Sequence, residues 1–139
     1  MTPVLLDTGC IVAMLDRSER HHRHCVEVVS EVKSPLITCE AVVAESCYLL
    51  RNLPGAPAAV LANVEQGIFQ IPFRLDEIAG TVKGLLHKYR QLPIDLADAC
   101  LVAAAERLGT ARILTLDSDF GIYRWRRTRP LENLLTIAE

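Results

Sequence analysis

The 139-residue sequence lacks any apolar run that approaches the length needed to cross a bilayer. It also lacks the charged start and long apolar stretch of a signal peptide. No strong excess of one charge sign is present, because 15 basic and 17 acidic residues give a formal net charge of −2. These absences predict a cytoplasmic protein that does not bind membranes and has no generally basic coat for nucleic acids.

The cysteines show neither an even count nor a Cys-x-x-Cys pair. The five are Cys10, Cys25, Cys39, Cys47 and Cys100. Most have apolar neighbours, so we expect reduced core thiols and not disulfides or zinc ligands. His21, His22 and His24 stand beside Cys25, but only His21 and His24 would share a helical face. A transition-metal site is therefore not expected there.

Length and composition predict one domain over residues 1–139, since half of the residues are hydrophobic and no repeat or Gly/Ser linker interrupts the chain. Short apolar runs predict strands at 3–6, 36–37, 68–71 and 111–116. Helices are predicted over 10–15, from Ser18 to the Ser34-Pro35 stop, from a Thr38 cap to about 51, over 57–67, over 75–89 and over 95–108. The tail 131–137 fits an edge strand or a short helix. This alternation predicts an α/β fold, a three-layer sandwich with a central, mainly parallel sheet of four or five strands flanked by helices.

Two of the predicted strands end in a carboxylate, at Asp7 and at Asp117. Ligands bind beyond the carboxyl ends of such strands, so both acids should lie on one rim of the sheet. The structural alternatives are that Asp7 caps the next helix and that Asp117 begins a turn through Ser118 and Asp119.

Glu45 is predicted to lie on a buried helical stripe. Its neighbours three and four positions away are Ala41, Val42, Tyr48 and Leu49. A buried glutamate needs a partner, which is either a functional site or an arginine such as Arg51 or Arg90.

Asp95 and Asp98 stand three residues apart at a predicted helix start. Asp95 fits the N-cap, and Asp98 would then point along the helix from its first turn. For Asp98 a favourable interaction with the helix dipole, worth about 0.3 to 1 kcal/mol, is the alternative to a catalytic role.

Acids from four separate segments can meet in one notch: Asp7, Glu45, Asp98 and Asp117. Two such charges about 4 Å apart repel by roughly 1 to 4 kcal/mol, so the cluster either takes up protons or binds hard cations. Oxygen ligands favour Mg²⁺ or Mn²⁺. Such a site suits hydrolysis of a phosphodiester bond.

The sequence resembles PIN-domain ribonucleases over essentially its whole length. The segments that carry the resemblance are Leu6-Asp7-Thr8, Val43-Ala44-Glu45, Asp95-Leu96-Ala97-Asp98-Ala99 and Thr115-Leu116-Asp117-Ser118-Asp119-Phe120. Their order and spacing are most similar to those of VapC toxins of bacterial toxin–antitoxin pairs.

This resemblance implies a PIN-like fold and a Mg²⁺- or Mn²⁺-dependent endoribonuclease that cleaves structured RNA. It also implies a homodimer and a cognate antitoxin partner. Asp7, Glu45, Asp98 and Asp117 then correspond to the catalytic, metal-binding quartet, with Asp119 as an additional acid. The residues expected to support the quartet are Thr8, Asp95, Thr115 and Ser118.

A basic and aromatic segment follows the Asp117 turn. It comprises Tyr123, Arg124, Trp125, Arg126 and Arg127, with Arg129 shortly after. Its arginines suit phosphates and its aromatic rings suit stacking on RNA bases, so Arg124, Trp125, Arg126 and Arg127 are candidate RNA contacts. The alternative is a solvated loop with Trp125 packed on the core or in a dimer contact.

Three other functions are alternatives to a nuclease. A metal-dependent phosphatase would use Asp117-Ser118-Asp119, but that chemistry needs the pair after an early strand. A non-catalytic PIN-fold binding module would not need the full quartet. Dinucleotide binding would need a Gly-x-Gly-x-x-Gly after the first strand, which the sequence lacks.

Overall fold

The computed structural model describes residues 2–136. The strands are β1 Val4–Leu6, β2 Leu36–Ile37, β3 Phe69–Gln70, β4 Arg112–Leu114, β5 Arg124–Trp125, β6 Arg129–Pro130 and β7 Glu132–Asn133. The α-helices are α1 Thr8–Leu15, α2 His22–Glu31, α3 Glu40–Leu49, α4 Ala56–Glu65, α5 Leu75–Lys88 and α6 Leu96–Leu108. A short 3-10 helix, Ser118–Gly121, follows β4. None of the helices described is long and apolar enough to cross a membrane.

Five strands form one parallel sheet in the order β3-β2-β1-β4-β7. With its flanking helices this is the predicted three-layer α/β sandwich, and the fold class is confirmed. The tail supplies the edge strand β7, which pairs with β4. Ile137, the end of the predicted tail element, lies outside the described residues.

The core is built on the two central strands and on α6. Val4, Leu5 and Leu6 of β1 are all 0 % exposed, which explains why β1 is apolar throughout and does not alternate. Helix α6 packs on β1, α3 and α5, and its alanines allow that close approach. Asp95 caps its start and Gly109, at a φ of 67°, ends it, both as predicted.

Two predicted helix starts are wrong. The Ser18 backbone and hydroxyl both bind Asp16 Oδ1, at 2.9 and 2.6 Å, so a turn occupies this segment and α2 begins only at His22. Thr38 does not cap α3, because its hydroxyl donates to the Leu6 carbonyl at 3.0 Å. Cys39 instead precedes α3.

The segment after the 3-10 helix forms an antiparallel hairpin of β5 and β6, which the sequence did not predict. Its turn places Arg126 and Arg127 at φ angles of 45° and 74°. Left-handed backbone at two successive non-glycine residues is uncommon. The hairpin therefore holds its arginines in one defined, strained conformation.

Candidate active site

Asp7 lies at the centre of the rim because its strand is the middle strand of the sheet. The register pairs Leu6 with Leu114, so Asp7 stands beside the residue that follows β4. That residue is Thr115, whose hydroxyl donates to Asp7 Oδ2 at 2.7 Å. The Asp7 side chain makes no cap hydrogen bond to α1, which does not support the capping alternative.

Asp7 is only 5 % exposed, and burial raises its pKa from 3.8 to about 6. The Thr115 hydroxyl and the Thr8 backbone lower this pKa, while the charges of Asp117 and Glu45 raise it. The fold therefore brings carboxylates from β1, α3 and the end of β4 close enough to repel one another.

Thr115 connects Asp7 to Asp117. Its hydroxyl accepts a hydrogen bond from the Asp117 backbone at 3.0 Å while donating to Asp7. Asn133 of β7 fixes Thr115 from the other side, accepting from its backbone amide at 3.2 Å and donating to its carbonyl at 2.9 Å. Nothing in the sequence pattern indicated this role for Asn133.

Asp117 is exposed and begins a turn, as the structural alternative proposed. Its Oδ1 accepts a hydrogen bond from the Asp119 backbone at 2.9 Å. The same carboxylate nevertheless acts electrostatically on both Asp7 and Asp98. Ser118 and Asp119 are exposed beside it. Asp117 therefore begins a turn and also lies on the rim of the sheet.

Asp98 faces the same group of acids from the first turn of α6. Its backbone amide donates to the Asp95 cap at 2.8 Å. Partial burial raises the Asp98 pKa to about 8, helped by the charges of Asp95, Asp7 and Asp117. A protonated or cation-bound Asp98 is therefore favoured near neutral pH.

Tyr123 contacts the acidic cluster, whereas the sequence pattern predicted a base-stacking role for it. Its hydroxyl donates to Asp98 Oδ2 at 3.2 Å, and this hydrogen bond lowers the Asp98 pKa. The ring is 1 % exposed and packs edge-on against Tyr89 and Phe120, with centroids 5.1 and 5.2 Å away. In the sequence, the only signal for this contact was the group of bulky aromatic residues after Asp117.

Tyr123→Phe should therefore preserve the fold and impair the site. Losing one hydrogen bond to a carboxylate should lower RNA cleavage about three- to tenfold at neutral pH. It should also move the acid side of the pH–rate profile to higher pH, because the Asp98 pKa rises. Tyr89→Phe is the control for loss of a neighbouring tyrosine hydroxyl, since the Tyr89 hydroxyl accepts from the Arg124 backbone at 2.8 Å and makes no hydrogen bond to Asp98. An unchanged profile in Tyr123→Phe would contradict this positioning role.

Glu45 is half-buried, but the reason given from its neighbours was wrong. Tyr48 and Leu49 are 62 % and 55 % exposed, and the buried residues of α3 are Val42 and Ser46. The arginine alternative is not supported either. Arg51 donates to the Tyr48 carbonyl and stacks on the Tyr48 ring. Arg90 donates to the His87 carbonyl.

Within residues 2–136, none of the four acids forms an ion pair. The two salt bridges in that range are Arg74–Asp76 and Arg107–Glu77. Two buried side-chain oxygens in the same part of the chain have no hydrogen-bond partner, Thr8 Oγ1 and Ser46 Oγ. Each directly follows a quartet acid in sequence. The cluster carries concentrated negative charge and offers oxygen ligands, a composition that suits a hard cation.

As the side chains stand, no three His, Cys, Asp or Glu residues between 2 and 136 are placed closely enough to enclose a metal ion. Mutual repulsion of the carboxylates favours such a loose arrangement. Mg²⁺ often uses only one or two protein carboxylates and keeps several waters. The donor set therefore fits Mg²⁺ or Mn²⁺ better than a closed site of the zinc type.

The basic segment is only partly available to a ligand. Tyr123 and Trp125 are 1 % and 5 % exposed, so the expectation that they stack on RNA bases is wrong and the alternative of Trp125 packed on the core is correct. The guanidinium groups of Arg126 and Arg129 lie 5.1 and 5.2 Å from the Trp125 ring centroid. Arg124 folds back onto the carbonyls of the preceding turn.

Two of the histidines near Cys25 bind backbone carbonyls, and most of the cysteines are core thiols, as predicted for the cysteines. His22 and His24 bind the carbonyls of Ala13 and Leu135, at 2.6 and 3.3 Å. All five cysteines are free, and four of them are buried.

Comparisons with known proteins agree on one family. The PIN domain family model matches residues 4–125. Ribonuclease VapC26 of Mycobacterium tuberculosis is 32% identical over 117 residues, which cover 82% of this chain and 86% of that protein. The crystal structure of Mycobacterium tuberculosis VapC20, a sarcin-ricin loop cleaving toxin, superposes with a TM-score of 0.80 at 18% identity, covering 91% of this chain and 99% of that one. The chain therefore belongs to the PIN domain family, as a VapC-like member.

Proposed function

We propose that this chain is a metal-dependent endoribonuclease and the toxin of a toxin–antitoxin pair, with structured RNA as its substrate. The observation that supports this proposal most strongly is the buried carboxylate of Asp7. The charges of Asp117 and Glu45 repel it. It has no ion-pair partner among residues 2–136. A protein keeps such an arrangement at a cost in stability, which is typical of functional sites.

The proposed cofactor is Mg²⁺ or Mn²⁺. Asp7, Glu45, Asp98 and Asp117 would hold it, with Asp119 as a further oxygen donor. When bound, such a cation neutralises charge on the phosphate and makes a nearby water more acidic. Thr8, Asp95, Thr115 and Ser118 support these acids from adjacent positions, Thr115 through its hydrogen bond to Asp7.

The proposed proton acceptor is Asp98. Tyr123 occupies Asp98 Oδ2, which leaves Oδ1 to take the proton of the attacking water. Only the deprotonated form of Asp98 can do this, and a bound cation would favour that form by offsetting the charges of Asp7 and Asp117 that raise the Asp98 pKa. Asp7, held by Thr115, keeps its negative charge directed at the same rim.

RNA contact is proposed for the β5–β6 hairpin, which begins directly after Tyr123, the residue bound to Asp98, and runs along α6 to Glu106. Arg124 and Arg126 are partly committed to backbone carbonyls, so Arg127 is the most available of the candidate contacts. Lys88 donates to the Arg127 carbonyl at 3.2 Å and adds a second positive charge there. Trp125 serves as the support on which the arginines stack. Cations beside an acidic rim would position phosphates without reading sequence.

A homodimer and a cognate antitoxin are the proposed protein partners. The molecule exposes large apolar side chains on α3 and α4, including Tyr48, Leu49 and Leu61 at 54 % or more. Next to them is a cavity of about 700 Å³ whose apolar lining includes Val43, Val64 and Phe73. Exposed apolar surface of this kind suits protein–protein contact.

The direct test is RNA cleavage by the purified protein, mapped by end sequencing. We expect cutting of a structured RNA with Mg²⁺ or Mn²⁺ and none with a chelator. Restoring the metal after chelation should restore cutting. Equal cutting with and without chelator would contradict metal dependence. Binding of RNA or an antitoxin without any cutting would favour the non-catalytic module.

A further inference from the structure

The turn of the β5–β6 hairpin has arginine at two positions where glycine or asparagine is the usual residue. Arg126 and Arg127 have φ angles of 45° and 74°. A Cβ crowds the backbone in this left-handed region, so glycine adopts it freely and arginine adopts it at a cost in stability. Strained residues of this kind persist only where the surrounding structure holds them, and they concentrate at functional sites.

Helix α6 holds the first of these arginines through one glutamate. The Glu106 carboxylate accepts a hydrogen bond from the Arg126 backbone amide at 3.0 Å. The Arg126 guanidinium in turn donates to the Glu106 main-chain carbonyl at 3.1 Å. That carbonyl lies in the last turn of α6, where carbonyls lack partners within the helix and the helix dipole favours a cation. Glu106 therefore fixes both the backbone and the side chain of Arg126.

Arg127, the second of them, is held through its backbone alone. Lys88, the last residue of α5, donates to the Arg127 carbonyl at 3.2 Å. Arg127 is exposed, and its guanidinium forms no hydrogen bond or ion pair with any residue between 2 and 136. The turn therefore presents a guanidinium next to an ammonium, and neither cation is paired with an acid in the described part of the chain.

We propose that Glu106 is a positioning residue for RNA binding, which holds the turn in the left-handed conformation that presents Arg127 and Lys88 to RNA phosphates. This inference rests on the RNA substrate of the proposed function. A guanidinium can donate two parallel hydrogen bonds to one phosphate, and an ammonium adds a point charge. Because phosphates carry no sequence information, the contact should strengthen binding of RNA of any sequence.

The position of the turn favours RNA over an acidic protein segment as the ligand. Glu106 lies on the same helix as Asp98, about 12 Å further along its axis. An RNA strand bound at the acidic rim can therefore extend over the turn. Such a contact lies outside the reacting phosphate, so it should act on binding and not on the chemical step.

The first test compares Glu106→Ala with Glu106→Gln. The glutamine oxygen can still accept from the Arg126 amide, whereas alanine cannot. Binding of a fluorescein-labelled RNA stem–loop is measured by fluorescence anisotropy with chelator present. Glu106→Ala should bind about threefold to tenfold more weakly than the wild type, and Glu106→Gln at least as tightly. In the cleavage assay with Mn²⁺, Glu106→Ala should raise KM and not lower kcat.

The matched pair of variants separates positioning from charge. Glu106 carries a negative charge that repels RNA, so tighter binding by both variants would show a charge effect alone and overturn the proposal. Equal weakening in both, or no change in either, would also overturn it. Alanine is the best helix former, so Glu106→Ala should keep α6 intact, and circular dichroism checks this.

The second test compares Arg127→Ala with Arg127→Gly. Both should lower RNA affinity about threefold to tenfold and reduce the slope of log Kd against log salt concentration by about one. Arg127→Gly should also melt about 3 °C or more above Arg127→Ala, because glycine adopts a φ of 74° without strain. Arg20→Ala, in the turn between α1 and α2, removes the same charge and should bind RNA as the wild type does.

The outcomes distinguish this inference from the proposed function. A wild type that cuts RNA, together with an Arg127→Ala variant that binds RNA equally well, would overturn the inference and leave the proposed function intact. A wild type that neither binds nor cuts RNA would contradict both. Tighter binding of a polyglutamate peptide than of RNA, lost in Arg127→Ala, would assign the turn to an acidic protein partner and overturn the inference.

Discussion

Asp7→Asn is expected to make the metal-free protein more stable at pH 8 while removing its ribonuclease activity. The asparagine oxygen can still accept the Thr115 hydrogen bond, but the amide cannot ionise inside the core. The charge repelled by Asp117 and Glu45 disappears, and the free energy of unfolding should rise by about 1 to 3 kcal/mol. Without the proposed central cation ligand, RNA cleavage should fall about 1000-fold or more.

Chemical denaturation with chelator present and a cleavage assay with Mn²⁺ measure the two halves of this prediction. Asp98→Asn should lose activity to a similar degree with its fold intact. Asp16→Asn is the matched control, because Asp16 follows the opposite end of α1, and its activity should equal that of the wild type. An active Asp7→Asn variant, or one that unfolds, would assign Asp7 a structural role instead.

The stability of the metal-free protein should fall as the pH rises from about 4 to about 8. In the folded protein the pKa of Asp7 is about 6 and that of Asp98 is about 8, both above the ordinary 3.8. The folded state therefore holds protons that the unfolded chain has released, and each carboxyl's stabilising proton is lost as the pH passes its folded pKa. Asp7 accounts for a loss on the order of 3 kcal/mol, and Asp98 for less than its shift suggests because water screens it.

Mg²⁺ or Mn²⁺ should reverse this loss at pH 8, since the cation replaces the missing protons. At 100 times its dissociation constant a bound ion adds about 2.7 kcal/mol. Thermal denaturation across pH, with chelator or with each cation, provides the measurement. The Asp7→Asn variant should show a shallower slope and a weaker response to the cation. A wild-type stability that is flat over this range and indifferent to both cations would be incompatible with the proposed site.

Local sequence was sufficient to predict the acids on the sheet rim. Asp7 and Asp117 could be placed because apolar runs directly precede them, and parallel strands bring such positions to one edge. Asp98 could be placed because Asp95 has the residue type and spacing of an N-cap. These predictions depend only on periodicity and on the chemistry of strand and helix ends.

Contacts between distant segments could not be predicted from local sequence. Tyr123 and Asp98 are 25 residues apart, and no periodic pattern links them. The burial of Trp125 follows from an unpredicted hairpin. Tyr48 and Leu49, two of the exposed residues on α3, show that apolar character does not fix which helix face is buried, because apolar residues can also serve partner contacts. The argument from its neighbours that singled out Glu45 was therefore mistaken, and its role in the site stays a prediction.

The most direct test of the central claim is a crystal structure of the protein with Mn²⁺, located by its anomalous scattering. The account predicts at least one Mn²⁺ peak about 2 to 2.5 Å from a carboxylate oxygen of Asp7 and within ligand distance of Asp98 or Asp117. Folded protein with no peak at Asp7, or with Mn²⁺ bound only at the histidines of α2, would contradict it.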